Sequence, residues 1–253
     1  MIVRASESQH WYTRTGDPAY TVKNKEGHQR PTTLRDARKL GLVPSVTTII
    51  KCAASPGLEA WKLQQMMLAA LTLPRAPEET EESFISRIQA DSKEQAKMAA
   101  ERGSEVHAAL ESFFETRHVT TKFSPAVLGT ESEIVKVFGD LTWSAEKSFA
   151  MNGFGGKVDL HSRDGQGVVI DFKTKEFTSD KLPTGFEENT MQLAAYRQGL
   201  GLYSARCANV FISVNEPGLV HIVEWDEDDL NRGWKMFNGL LDYWYAKTQL
   251  GAI

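Results

Sequence analysis

The stretch GGKVDLHSRDGQGVVIDFKTK, residues 155–175, decides the fold. Two runs rich in β-branched and apolar residues flank Asp164–Gly165, a dipeptide suited to a tight hairpin turn. If Asp159 lies opposite Asp171, paired residue numbers sum to 330 and the hairpin centres on Gly165, where the turn signal already falls. Strand alternation then directs Asp159, Asp171, Lys173 and Lys157 to one face. Val158, Leu160, Val168, Ile170 and Phe172 go to the other. The expected hairpin has an apolar core face and a charged face.

Two carboxylates directly opposite on neighbouring strands, with Cβ atoms about 5 Å apart, repel each other and destabilise the sheet unless a cation lies between them. Oxygen ligands in that geometry suit Mg²⁺ or Mn²⁺. Lys173, the next residue of that strand on the same face, is placed to orient or deprotonate an attacking water, or to stabilise charge developing on a phosphate. The competing reading is a surface hairpin with solvated charges. It accounts for an isolated D-x-K better than for the opposed aspartate, the apolar reverse face and the turn together.

Outward from this hairpin, WSAEKSFAM (143–151) reads as a preceding strand, residues 188–202 as a helix, and ARCANVFISVN (205–215) and LVHIVEWD (219–226) as two further strands. The chain closes with the amphipathic helix DLNRGWKMFNGLLDYWYAKTQ (229–249), whose stripe Leu230, Trp234, Phe237, Leu241 and Trp244 reads as core. Upstream, residues 78–117 are helical almost without breakers, and residues 58–73 form a helix ended by Pro74 and Pro77. Thr33 is placed to cap a short helix closed by Gly41. HWYTR, TGDP and AYTVKNKEG (10–27) read as an N-terminal hairpin. This order predicts an α/β or α+β protein with a central mixed β-sheet flanked by helices.

With 253 residues, 41% hydrophobic and 25% charged, the chain has enough apolar sequence for a substantial core. No run approaches the ~18 apolar residues of a membrane span, and Glu7 argues against a signal peptide, so a cytoplasmic location is expected. Cys52 and Cys207 form no CxxC pair, which disfavours a disulfide framework, a zinc knuckle and a four-cysteine cluster. The net charge of −4 is uneven. Residues 1–51 hold nine Lys/Arg against four Asp/Glu, and residues 52–253 hold 20 against 29. A basic front could follow phosphates while acidic residues elsewhere hold metal.

Gly156-Lys-Val-Asp159, Asp171-Phe-Lys173-Thr174 and Gln192-Leu-Ala-Ala-Tyr196 together resemble the PD-(D/E)XK nuclease superfamily, in its RecB-like exonuclease branch. Arg102-Gly-Ser-Glu-Val-His107 resembles that branch's helical histidine segment, and Pro44-Ser-Val-Thr47 with Leu58-Glu-Ala-Trp61 resembles the opening of phage and mitochondrial relatives. The resemblance covers residues 43–200 and implies a restriction-endonuclease-like core with an N-terminal helical arch. It implies a single nuclease domain over 1–253, divided into a basic hairpin and short helix (1–42), a helical region (43–140) and a core sheet with helices (141–253).

By the same resemblance, His107, Asp159 and Asp171 ligate Mg²⁺ or Mn²⁺, with the Phe172 carbonyl as a further ligand, and Lys173 is the catalytic lysine. Gln192 and Tyr196, at i and i+4 on one helix face, hold the water, the lysine or the scissile phosphate. Glu146 matches a glutamate often found on the preceding strand, where a structural pair with a nearby cation is its expected role. Arg102, Lys157, Thr174 and Lys175 flank the site as candidate phosphate contacts. Trp61 is a candidate base-stacking residue, with packing as its alternative. His161 shares the charged face and is expected at its rim. The implied activity is a metal-dependent exonuclease acting on single-stranded DNA or DNA with free ends, with a recombination or single-strand-binding protein as a further partner. A restriction-type or structure-specific endonuclease and a non-catalytic DNA-binding scaffold are the alternatives.

Overall fold

The computed structural model describes residues 10–251. Along the chain lie β1 (Trp11–Tyr12), β2 (Thr21–Lys23), β3 (Gln29–Pro31), α1 (Leu34–Leu40), β4 (Val43–Pro44), α2 (Val46–Ile50), α3 (Pro56–Thr72) and α4 (Glu81–Thr116). A 3₁₀ turn (Thr121–Phe123) follows, then α5 (Ser124–Phe138), β5 (Ser144–Met151), β6 (Phe154–Ser162), β7 (Val168–Lys175), α6 (Glu187–Gly199), β8 (Arg206–Ser213), β9 (Val220–Trp225) and α7 (Glu227–Thr248). These elements gather into two compact units. One is built from residues up to Ala53 and from Ala109 onward, and the other is Ala54–Ala108.

In the larger unit five strands form a mixed sheet in the order β5-β6-β7-β8-β9. Every neighbouring pair is antiparallel except β7–β8. A parallel pair requires a crossover, and α6 supplies it, packing on β6, β7 and β8 and against α7. The β6–β7 register is the expected one. Leu160 faces Ile170, His161 faces Val169 and Ser162 faces Val168, around a turn in which Gly165 has φ 60°.

The expected division into one apolar and one charged face is not what forms. Both faces are covered, because the crossover places α6 over the acidic one. Val158 belongs to the cluster beneath α6 and α7, with Val169, Leu193, Tyr196 and Phe237. Leu160, Ile170 and Phe172 are buried outside that cluster. Alternation is therefore inverted between Val158 and Leu160. The pairing lapses at the same place. From β5 to β6 it steps from Ala145↔Leu160 to Lys147↔Val158, passing over Glu146 and Asp159. Glu146 takes φ 51°, a left-handed conformation in mid-strand that breaks the pleat. On the second face α5 packs against β8 and β9, and the Phe114 ring stacks on Phe172.

The N-terminal hairpin lies one turn later than residues 10–27 suggested. Trp11 and Tyr12 are buried and pair with Pro44 and Val43, while β2 pairs with β3 around residues 24–28. Pro18 has no N–H with which to extend a ladder beyond its single bridge to Tyr12. The short helix forms as read. Thr33 and Asp36 make a reciprocal capping box, and Gly41 closes α1 at φ 65°. In α7, Leu230, Phe237, Leu241 and Trp244 are buried, and Trp234 stacks on Phe237.

The smaller unit is helical, from α3 through most of α4. At the corner between the helices Arg87 donates to both Glu79 carboxylate oxygens and to the Pro74 carbonyl, and the Arg87 hydrogen bonds lower the Glu79 pKa to about 2. Among the described residues no helix is long and apolar enough to cross a membrane.

Candidate active site

Asp171 is 2% exposed, on β7 beneath α6. A carboxylate this deeply placed needs donors on both oxygens. Gln192 Nε2 donates to Oδ1 at 2.7 Å, and Asn209 Nδ2 donates to Oδ2 at 2.7 Å. Lys173 Nζ, two residues along the same strand, lies 2.7 Å from Oδ2. Lys173 also donates to Gln192 Oε1 at 3.2 Å, and Gln192 Nε2 donates to the Tyr196 hydroxyl at 2.9 Å. The Gln192 amide is thus clamped in one orientation, because a lysine ammonium only donates and a carboxylate only accepts.

Asp159 sits on β6 where the ladder lapses. Its Oδ2 accepts the Phe172 N–H at 2.7 Å, so a side-chain oxygen stands where a strand carbonyl would otherwise pair. The two aspartates occupy the register positions the turn implied, one step beyond the Leu160↔Ile170 pair. Burial, then the charges of Asp171 and Asp159, hold the Tyr196 pKa well above the ordinary tyrosine value, so the phenol stays protonated.

The first glycine of the G-x-x-D segment has a steric reason. A Cβ on Gly156 would lie 2.9 Å from the Phe149 ring and 2.9 Å from Tyr196 Cε1. With hydrogen there, α6 approaches the sheet closely enough for Gln192 to reach Asp171.

The structure therefore brings together Asp159, Asp171, Phe172, Lys173, Gln192 and Tyr196. Thr174 and Lys175 follow on β7, partly buried and exposed respectively, and Lys175 Nζ lies over the Phe186 ring. Lys157 is ion-paired with Glu146, the structural pairing expected of that glutamate. Trp61, Arg102 and His107 belong to the smaller unit, with His107 on α4. Among the described residues no three His, Cys, Asp or Glu side chains gather as a metal-binding group. His161 is not at a rim. It is 3% exposed, and burial, followed by the Arg163 charge, lowers its pKa.

Sequence reasoning missed Asn209 and Trp225. Asn209 lies beside Asp171 in the parallel β7–β8 register, and its Oδ1 accepts the Trp225 Nε1–H at 2.8 Å. The only signal was the crossover itself. Recognising β7 and β8 as parallel neighbours would have paired Asp171 with Asn209.

No protein-family profile matches the chain, and no curated protein matches it. Solved structures that are partly similar include the following two. One is an alkaline exonuclease from Laribacter hongkongensis, 13% identical, covering 76% of this chain and 98% of that one at a TM-score of 0.30. The other is SSO0001, 17% identical, covering 72% of this chain and 86% of that one at a TM-score of 0.28. Neither superposition bears on the chemistry, which has to be read from the site itself.

Proposed function

We propose that this chain is a divalent-metal-dependent DNA exonuclease that hydrolyses phosphodiester bonds, acting in phage or bacterial recombination, repair or replication. The observation that carries the reading is the buried constellation of Asp171 with Lys173 at 2.7 Å, Gln192 bridging both, and Asp159 on the neighbouring strand. The donor chemistry fits Mg²⁺ or Mn²⁺. The acidic side chains here are a pair with no thiolate among them, and Mg²⁺ is commonly held by one or two carboxylates together with substrate phosphates. Asp159 and Asp171 would hold the ion, with the Phe172 carbonyl added by the family resemblance. When bound, the ion supplies Lewis-acid stabilisation of the charge that develops on the phosphate.

The residues of the chain do the rest. Lys173 has three N–H donors. Asp171 and Gln192 engage two of them, and the third serves an incoming water or a phosphate oxygen. Gln192 fixes the angle between Lys173 and Asp171, and the neutral Tyr196 hydroxyl holds Gln192 without adding charge. Thr174 and Lys175, which follow Lys173 on β7, contact phosphates. Exonuclease action is preferred because the resembling branch threads strand ends past its upstream helices.

Linear and covalently closed plasmid, incubated with Mg²⁺ or Mn²⁺ and with excess chelator, test this reading. Linear DNA should be degraded from its ends, closed circles should survive, and the chelator should stop the reaction. Cleavage of closed circles would make the protein an endonuclease of the same chemistry. Absence of cleavage on end-labelled single and double strands would overturn the proposal.

A further inference from the structure

We propose that Asn209 and Trp225 form a relay that positions Asp171 for cation binding. This inference rests on the reading of Asp171 as an ion-holding carboxylate. Asn209 is fully buried, donates to Asp171 Oδ2 at 2.7 Å and accepts from Trp225 Nε1 at 2.8 Å. The direction of this chain is forced. An indole N–H can only donate and an ionised carboxylate can only accept, so the amide has one orientation open to it. Trp225 is itself held in place. Gly185, in the loop entering α6, lies against the indole, and a Cβ there would fall 2.5 Å from Cη2.

The relay ties the Asp171 carboxylate to β9 and to the loop that leads into the helix carrying Gln192. Lys173 and Asn209 share Oδ2 while Gln192 takes Oδ1. Without the Asn209 donor, the carboxylate can turn toward the Lys173 ammonium, and its plane is no longer set by the sheet. Partners behind metal ligands, when removed, typically weaken metal affinity by about 10–100-fold. Asn209 is thus a positioning residue, and Trp225 acts through it.

Mn²⁺ uptake by the full chain, followed by electron paramagnetic resonance of the free ion, reads this without turnover. Asn209→Leu should bind Mn²⁺ about tenfold more weakly. Trp225→Phe, which keeps an aromatic side chain but removes the N–H together with the pyrrole part of the indole, should weaken binding in the same direction. The double variant should bind no more weakly than Asn209→Leu alone, since both changes break one chain. KM for linear DNA should stay unchanged, and excess Mn²⁺ should restore kcat.

Asp171→Ala is the control for the underlying reading. Wild-type-like Mn²⁺ uptake by that variant overturns the assignment of Asp171 rather than the relay alone. If Asp171→Ala loses uptake while Trp225→Phe binds as tightly as wild type, the relay is wrong and the site stands. Losses that add in the double variant and track its melting temperature also overturn the relay, since they mark a merely structural role. Trp225→Phe carries the test if Asn209→Leu does not fold.

Discussion

Lys173 and Gly156 illustrate how single residues act in this protein, one through charge and the other through the absence of a side chain. Lys173→Ala removes the donor shared by Asp171 and Gln192. Cleavage of linear DNA should fall by about 10²–10⁴-fold, the usual contribution of a positioned proton donor or acceptor. Binding of DNA, measured by fluorescence anisotropy, should be nearly unchanged. Equal loss of binding and cleavage would move Lys173 from chemistry to substrate contact. Gly156→Ala places a methyl group against Phe149 and Tyr196. Overpacking of this kind costs about 1–3 kcal/mol, so thermal melts should shift downward, and cleavage should fall as α6 is pushed from the sheet. At this scale the sequence was informative because the Asp164–Gly165 turn and the fixed alternation of a strand determine who faces whom. It was silent about Asn209, whose partner is 38 residues away and brought close only by the crossover.

Elements were legible where their signals are local. The capping box of α1 lies within four residues, and Thr33→Ala should cost about 1 kcal/mol, read as a lower denaturant midpoint at unchanged m-value. Strand β8 offers a second test. Burial raises the Cys207 pKa from 9 to about 12, so the folded state favours the neutral thiol. The stability this contributes is fully present below pH 9 and is lost as the pH rises toward 12. At pH 8 a thiol reagent should leave Cys207 unmodified in the native protein and react with both cysteines after denaturation. Native modification of Cys207 would contradict the burial of β8 between β7 and β9. Helix α6 was recognisable only by its lack of breakers. Residues 189–197 are all buried, so no polar stripe marks an outer face. For the same reason the cover over the charged face was not legible, since nothing local to residues 155–175 records that a later helix lies on them.

For the molecule as a whole, charge is uneven along the chain, with an excess of five positive charges over residues 1–51 and of nine negative charges over the remainder, and on the proposed reading the basic stretch follows phosphates. Binding of single-stranded DNA should therefore weaken as salt rises. Replacing the exposed Lys23 and Lys25 with Gln should lower the slope of log Kd against log salt by about 0.7 for each phosphate contact removed. An unchanged slope would place the DNA path elsewhere. The amino-acid sequence by itself determined the order of the strands and helices from β5 to α7 and the hairpin register, because periodicity, caps and turns act over a few residues. Tertiary structure alone decided that both faces of the sheet are covered, that the pleat inverts at Asp159, and that Asn209 and Trp225 stand behind Asp171. Those outcomes depend on which distant segments pack together, and the energy of such packing is spread over contacts that no short window of sequence contains.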